Sequence, residues 1–167
     1  MNPPTIPPRR EFKFLVDRKR LPELRAAIAP YCDPDPNGGP DGTYALRSLY
    51  LDAPHLPLFH ANESEAPERF KARIRTYIDA PDSPVFSELK FRSGDVIRKV
   101  RAVLPEDWQT ALRSGGALDP FTARMHRYGL EPMALVEYRR GRISRRGGFG
   151  QGPKRTGMAL GVELLHR

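Results

Sequence analysis

Hydrophobic and polar residues alternate with a period of two along most of the chain. In residues 70–77 (FKARIRTY), Phe70, Ala72 and Ile74 share one face and basic residues share the other. Because successive side chains of a strand point to opposite faces of a sheet, this pattern predicts a β-strand. Similar patterns predict further strands over residues 11–16, 46–52, 85–92, 97–103 and 134–140. The residues predicted to pack in the core are Phe12, Phe14, Leu49, Phe70, Ile74, Leu89 and Trp108.

Three segments between these strands have helical spacing instead. Residues 21–29 carry Pro22 in the first turn, residues 105–113 also begin with proline, and residues 121–128 end before Gly129. Proline in the first turn and glycine after the last turn are typical helix boundaries. This order of elements predicts an α+β protein with a largely antiparallel sheet.

Proline and glycine divide the chain into three parts. Residues 1–9 contain four prolines and predict a disordered leader. Residues 144–167 begin with a basic, glycine-rich stretch and form a tail of uncertain structure. The predicted domain therefore covers residues 10–143.

Composition narrows the function. The 28 Lys and Arg residues exceed the 20 Asp and Glu residues, so the formal net charge is +8 and an anionic partner is expected. Cys32, the one cysteine, excludes a disulfide framework, and the four histidines lack metal-ligand spacing. The sequence has no Walker motif and neither a signal-peptide core nor an apolar run long enough for a membrane span. These features predict a cytoplasmic domain, either free or peripheral to a membrane.

Basic residues recur at every second position in three of the predicted strands. They are Lys71, Arg73 and Arg75, then Lys90 and Arg92, then Lys99 and Arg101. Because like charges on one face repel each other, such a sheet favours a bound anion, and Arg and Lys side chains bind phosphate through charge-assisted hydrogen bonds. A solvated outer face of an antiparallel sheet explains the same pattern.

Two carboxylates lie among these basic residues. Glu11 and Glu88 each precede a lysine by two positions, Lys13 and Lys90 respectively. They could hold a divalent metal beside bound phosphate or form cross-strand ion pairs. The residues alone leave both interpretations open.

Five sequence strings occur in an informative order: REFKFLVD (10–17), SLYLDAP (48–54), RFKARIRTY (69–77), SELKFRSGDVIRKVRA (87–102) and VEYRR (136–140). Together they resemble the VTC domain, the polyphosphate polymerase domain of the vacuolar transporter chaperone family and its bacterial relatives. The resemblance implies an antiparallel β-barrel of the triphosphate-tunnel type with a few flanking helices. After residue 142 the sequence departs from the family's pattern, which predicts an atypical or truncated C-terminus.

The resemblance also implies a function and a set of site residues. The γ-phosphoryl of ATP would be transferred to a growing polyphosphate chain with the help of Mn²⁺ or Mg²⁺. The residues implied as catalytic are Lys13, Arg73, Arg75 and Lys90, and these bind phosphate together with Lys99, Arg101 and Arg140. The implied tunnel lining is Glu11, Ser48, Tyr50, Glu88 and Tyr138, with Glu88 also a metal ligand and Lys71 a weaker candidate near the mouth.

Other functions remain open at this stage. A non-catalytic module that binds polyphosphate or triphosphate, or a CYTH-type triphosphatase, would use the same cations. The EFK string at 11–13 differs from the ExExK motif of the CYTH family. Nucleic acid is disfavoured because the basic strands show no aromatic stacking platform. A homo-oligomer and a membrane-protein partner are left open.

Overall fold

The structure is a computed structural model that describes residues 5–10, 14–36, 38–110, 120–145 and 159–164. Its contacts divide the chain into two compact units. The first unit comprises Met1–Glu11 and Leu46–Glu137, and the second comprises Phe12–Ala45 and Tyr138–Arg167. Among the described residues, no helix combines the length and apolar character needed to cross a membrane.

The elements follow the chain in a simple order. The strands are β1 (Thr5–Arg10), β2 (Cys32–Pro34), β3 (Thr43–Asp52), β4 (Glu68–Tyr77), β5 (Phe86–Ser93), β6 (Val96–Val103), β7 (Glu131–Arg145) and β8 (Ala159–Leu164). The helices are α1 (Leu21–Ile28), α2 (Pro57–Glu63) and α3 (Pro120–Tyr128), and residues 108–110 are also helical. Strands β3 and β7 each contribute residues to both units.

In the first unit, the strands lie in the order β1-β6-β5-β4-β3-β7. The β1–β6, β3–β4, β4–β5 and β5–β6 pairs are antiparallel. The turn between β5 and β6 has only two residues, and Gly94 adopts φ +53° there. Short hairpins favour glycine at such positions because it has no Cβ to clash. This turn fixes the register of β5 against β6.

One face of this sheet forms the core of the first unit. Leu51, Ala72, Ile74 and Leu89 are buried there and pack with Phe121 of α3. The burial of Ile74 and Leu89 confirms their predicted packing role, and Leu49, Phe70 and Trp108 pack at the margin of the same core. The alternation predicted from the sequence therefore leaves the basic side chains on the opposite face.

In the second unit, β7 is paired on one side with β2 and on the other with β8, both antiparallel. Helix α1 begins after a 3₁₀ turn at Arg18–Arg20, with Pro22 in its first turn as predicted. Arg139 donates hydrogen bonds to Thr43 and forms an ion pair with Asp41.

The N-terminal region differs from its prediction. The sequence predicts a leader over residues 1–9 and a strand over 11–16, whereas the structure has β1 at Thr5–Arg10. Phe14, predicted to pack, is 82% exposed, and Phe12 lies outside the described residues. Pro7 and Pro8 within β1 are compatible with a strand because β1 stands at the edge of the sheet order. Periodicity alone cannot indicate that a proline-rich segment will find a partner strand.

Two further differences concern the helices and the tail. Helix α2 was not predicted, because Pro57–Glu63 is short and lacks a clear apolar stripe. The helix predicted over 105–113 begins only at residue 108, after a turn at residues 106–107, and residues 111–113 lie outside the described residues. In the predicted tail, residues 144–145 complete β7 and residues 159–164 form β8.

Candidate functional site

Register aligns the charged residues of the first unit into rows across neighbouring strands. The central row is Tyr50 on β3, Arg73 on β4, Glu88 on β5 and Arg101 on β6. The next row is Ser48, Arg75, Phe86 and Val103. These residues belong to the sheet face opposite the core, because they alternate with Leu49, Ile74 and Leu89 along their strands.

Glu88 lies at the centre of this arrangement and is 1% exposed. Its Oε2 atom lies 2.8 Å from both Nε and Nη2 of Arg73 and 3.5 Å from Nη1 of Arg75. Its Oε1 atom accepts a hydrogen bond from Nζ of Lys99 and lies 3.1 Å from Nε of Arg101. One buried carboxylate therefore contacts four cations, which we call the Glu88 cluster.

Hydroxyl groups and aromatic rings hold the arginines of the Glu88 cluster. Nη1 of Arg73 donates to the Tyr50 hydroxyl at 2.9 Å, and Nη2 of Arg101 donates to the Tyr77 hydroxyl at 2.8 Å. The Arg101 guanidinium also lies 3.7 Å from the centre of the Phe86 ring. Such contacts restrict the planes of the guanidinium groups, so that their charges are positioned before a ligand arrives.

The cluster keeps Glu88 ionised. Burial would raise the pKa of Glu88, but the attraction of Arg73, Lys99 and Arg75 outweighs it and lowers the pKa to about 2. Glu88 is therefore a permanent anion at neutral pH. With so low a pKa, it is also too weak a base to take a proton from water efficiently.

The pKa of Lys99 is lowered, as expected for a buried lysine close to other cations. Burial lowers the pKa of Lys99, its attraction to Glu88 opposes this, and repulsion from Arg73 and Arg101 adds to it, giving a pKa of about 8. An anion bound beside Lys99 would stabilise its charged form.

The charge balance of the Glu88 cluster favours a polyanion. Four cations against one carboxylate leave a formal charge of +3. The side chains of Arg73, Lys99 and Arg101 are 17%, 16% and 27% exposed, so a ligand can reach them, whereas Arg75 is buried. Nε of Arg101 is buried and makes no hydrogen bond, because its contact with Glu88 is an ion pair alone. A chain of phosphates matches the excess positive charge.

The surroundings of Glu88 do not fit a resident metal. Both carboxylate oxygens already contact Lys or Arg nitrogen atoms, and a divalent cation there would face four like charges. The described parts of the chain also bring no three His, Cys, Asp or Glu side chains together as a metal site. The geometry therefore favours the ion-pair interpretation of Glu88 over the metal-ligand one.

The other residues implied by the resemblance have different placements. Lys90 lies on the site face, in register with Lys71 and Lys99. Tyr138, which is buried, and Arg140, which is half-buried, belong to the second unit. Glu11 and Lys13 lie outside the described residues.

Sequence reasoning did not select Tyr77 and Phe86 as site residues. Both contact Arg101. Tyr77 shares the period-two face of Arg73 and Arg75, so a signal was present in the sequence. The contact itself depends on the pairing of β4, β5 and β6.

Comparisons with known proteins agree with this description. The model of the VTC domain family matches residues 8–147, and the chain belongs to this family. No curated protein matches at a significant level.

Two solved structures share the fold. A candidate adenylate cyclase from Bacillus halodurans has 14% sequence identity and a TM-score of 0.58, with 94% of this chain and 72% of that chain covered. A candidate adenylyl cyclase from Hippeastrum, described as having a dominant triphosphatase activity, has 17% identity and a TM-score of 0.51, with 90% of this chain and 70% of that chain covered. They confirm the predicted fold class, an α+β protein with an antiparallel sheet of the triphosphate-tunnel type.

Proposed function

We propose that this chain is an ATP-dependent polyphosphate polymerase domain, which transfers the γ-phosphoryl group of ATP to the end of a polyphosphate chain. The observation that carries the proposal is the Glu88 cluster, in which four cations converge on one buried carboxylate and leave an excess charge of +3. Membership of the VTC domain family supports chemistry on polyphosphate or triphosphate.

The transfer needs charge neutralisation more than proton transfer. The bond between the γ-phosphorus and the β,γ-bridging oxygen breaks, a terminal oxygen of the acceptor polyphosphate bonds to that phosphorus, and ADP leaves. Both oxygens belong to phosphates, so no base has to deprotonate the acceptor. Arg73, Lys99 and Arg101 would hold the reacting phosphates in line and offset the developing charge.

The described site offers no base well suited to hydrolysis, because Glu88 is too weak a base and a phosphate bound beside Lys99 keeps that lysine charged. This favours transfer to phosphate over hydrolysis. Activation of water calls for a group that accepts a proton near neutral pH. The carboxylate at the centre, Glu88, has a pKa of about 2 and is held by four cations. A phosphate acceptor avoids this requirement.

Divalent metals are used generally by the triphosphate-tunnel families, and the resemblance implied Mn²⁺ or Mg²⁺ here. Since the surroundings of Glu88 do not fit a resident metal, we infer that such an ion would come bound to the triphosphate. Lys13, Lys90 and Arg140 remain proposed phosphate ligands on the resemblance.

The test measures two products in one reaction. The purified chain is incubated with ATP and Mn²⁺, and long-chain polyphosphate and free phosphate are assayed separately. Polymer formation is the expected result. Free phosphate without polymer would indicate a triphosphatase, and tight polyphosphate binding with neither product would indicate a binding module; both contradict the proposal.

A pair of variants links the product to the site. Arg73→Ala combined with Arg75→Ala should abolish both polymer formation and tripolyphosphate binding, because two contacts of the Glu88 cluster are lost. Arg98→Ala combined with Arg127→Ala removes the same charge from exposed positions and should retain both. Circular dichroism verifies that each variant is folded. A folded site variant with unchanged tripolyphosphate affinity would contradict the assignment.

A further inference from the structure

The cations on the site face continue past the Glu88 cluster in one direction. Pairing of β4, β5 and β6 places Lys71, Lys90 and Lys99 side by side, and we call them the lysine row. One step further, Arg69 of β4 is paired with Arg92 of β5, and we call these two the arginine row. Lys71 is exposed, and Arg69 and Arg92 are half-buried.

The rows follow each other at regular intervals. Adjacent rows are two residues apart along each strand, which corresponds to about 6.7 Å. From Arg75 through Arg73 and the lysine row to the arginine row there are three such intervals, or roughly 20 Å. The cations thus form a path that is longer than the Glu88 cluster alone requires.

In the opposite direction, the described residues of β3 to β6 carry no comparable charge. Arg75 is aligned with Phe86 and Val103, and one row further Tyr77 is aligned with Leu46. The residues aligned with Arg75 and Tyr77 at these positions are aromatic or aliphatic. A polyanion lying over them would lose water of hydration without gaining ion pairs. On these four strands the path of cations therefore extends toward the turn at Gly94.

Lys99 of the lysine row is paired with Glu88, but no carboxylate of the described residues forms an ion pair with Lys71, Arg69 or Arg92. Asp52 ends β3 near Lys71 along the sheet, but it is buried and accepts hydrogen bonds from the backbone amides of Leu58 and Phe59 in α2. The arginine row is anchored to neutral groups: Arg69 donates to the Ala66 carbonyl, and Arg92 donates to the Gly94 carbonyl at 2.9 Å. These bonds orient the guanidinium groups without neutralising them.

We propose that a linear polyphosphate bound at the Glu88 cluster extends over the lysine row and the arginine row toward Gly94. Lys71, Arg69 and Arg92 then form a subsite for chains longer than a triphosphate. This inference rests on the proposed function, and it adds a direction for the chain and three residues to the site. Tripolyphosphate, held at the Glu88 cluster, does not need the subsite.

The test compares two ligands, tripolyphosphate and long-chain polyphosphate, by isothermal titration at several salt concentrations. Lys71→Ala combined with Arg92→Ala should weaken binding of the long chain at least tenfold at low salt. Since each lost phosphate contact lowers the slope of log affinity against log salt by about one, the slope should fall by about two. Tripolyphosphate affinity should stay within twofold of the wild-type value.

The matched control is Arg98→Ala combined with Arg127→Ala. This variant loses the same net charge from exposed arginines that contact the Phe91 and Tyr128 rings instead of the cation rows. It should bind both ligands within twofold of wild type. If the two double variants lost affinity for long-chain polyphosphate equally, net charge alone would be responsible, and this result would overturn the inference.

Other results separate this inference from the proposed function. If the Lys71 and Arg92 variant loses affinity for both ligands equally, or for neither, the subsite is wrong while the Glu88 cluster stands. If the wild-type chain fails to bind tripolyphosphate, the proposed function itself is wrong. If the double variant does not fold, the single variant Lys71→Gln, at an exposed position, is used instead. For long-chain polyphosphate, it must lower the slope of log affinity against log salt by about one.

Discussion

Glu88 determines the geometry of the site at the scale of single residues. Four cations aligned on neighbouring strands would repel one another, and the buried carboxylate between them offsets this repulsion. Its pKa falls from 4.5 to about 2, which corresponds to a stabilisation on the order of 3 kcal/mol at neutral pH. The same carboxylate limits the attraction for a polyanion, so Glu88 links stability to binding.

Replacement of Glu88 by Gln tests this link. Without the carboxylate the cations are uncompensated, and we expect the free energy of unfolding at pH 7 to fall by about 3 kcal/mol or more. Tripolyphosphate should raise the melting temperature of Glu88→Gln more than that of wild type, because the ligand then supplies the missing negative charge. Thermal denaturation with and without tripolyphosphate measures both effects.

The contribution of Glu88 to stability should decrease at acidic pH. The pKa of Glu88 is lower in the folded state than in the unfolded state, so its contribution is complete above pH 4.5 and is lost as pH falls toward 2. The stability difference between wild type and Glu88→Gln should shrink over that window. Glu137→Gln is the control, since its pair with Arg47 is about half exposed and should contribute at most about 1 kcal/mol. Equal effects at the two positions would contradict the role given to Glu88.

Lys99 should make phosphate binding sensitive to pH near 8. Its pKa of about 8 means that it loses its proton as pH rises from 7 to 9, and a neutral lysine no longer attracts an anion. We expect wild-type affinity for tripolyphosphate, divided by that of Lys99→Arg, to fall by up to about tenfold over this range. Arginine stays charged there, and the ionisation of tripolyphosphate is common to both proteins. Lys19→Arg, at an exposed position, should not alter the profile, and a flat ratio for Lys99→Arg would contradict the prediction.

At the scale of elements, β4 and β5 join the core to the site. Each strand alternates between one face that packs against α3 and another that carries cations. The apolar face anchors the strands, and their pairing sets the rows of charge. A shift of the pairing register by one residue would turn the core side chains of β4 or β5 to the site face. The burial of Ile74 and Leu89 therefore also keeps Arg73 and Glu88 in place.

Asp52 performs a structural task beside this site. It lies at the end of β3 and accepts hydrogen bonds from the amides of Ala53, Leu58 and Phe59 at 2.8, 3.0 and 2.8 Å. Two of these amides belong to the first turn of α2, where backbone donors lack helical partners. The acidic side chain is therefore an anchor for α2 and is distinct from the Glu88 cluster.

Replacement of Asp52 should affect stability without affecting binding. Asp52→Ala removes the acceptor for three amides, and we expect the free energy of unfolding to fall by about 1–2 kcal/mol. Tripolyphosphate affinity should remain within twofold of wild type. Urea denaturation and titration calorimetry measure the two quantities.

Asp17→Ala provides the comparison for Asp52→Ala. Asp17 caps an exposed 3₁₀ turn through a single bond from the Lys19 amide, so its loss should cost less. A large loss of tripolyphosphate affinity in Asp52→Ala would mean that Asp52 belongs to the binding site after all.

For the whole molecule, the distribution of charge is more informative than its total. The formal net charge of the chain is +8. Eight aligned cations on the site face of the first unit, set against Glu88, carry a formal charge of +7. They are Arg69, Lys71, Arg73, Arg75, Lys90, Arg92, Lys99 and Arg101. The remainder of the chain is nearly neutral, which favours one local anion site over a generally basic surface.

Much of the fold could be predicted because it depends on local patterns. The alternation around Ile74 and Leu89 predicts strands, and the stripe before Gly129 predicts α3. Strand β1 and helix α2 could not be predicted in this way. Pro7 and Pro8 are not typical of a strand, so local patterns do not indicate β1. Helix α2 is anchored by Asp52, and this contact between separate elements is not visible in a local pattern.

By itself, the sequence determined which residues share a face. Arg73 and Arg75 lie together whatever the partner strand, because the period of a strand is two. Only the tertiary structure decided that Arg101, Tyr77 and Phe86 meet, and that Glu88 is enclosed by cations rather than open to a metal. The physical reason is the register of the strands. Pairing between strands and burial of the core face decide which side chains are aligned on neighbouring strands, and neither can be calculated from one strand alone.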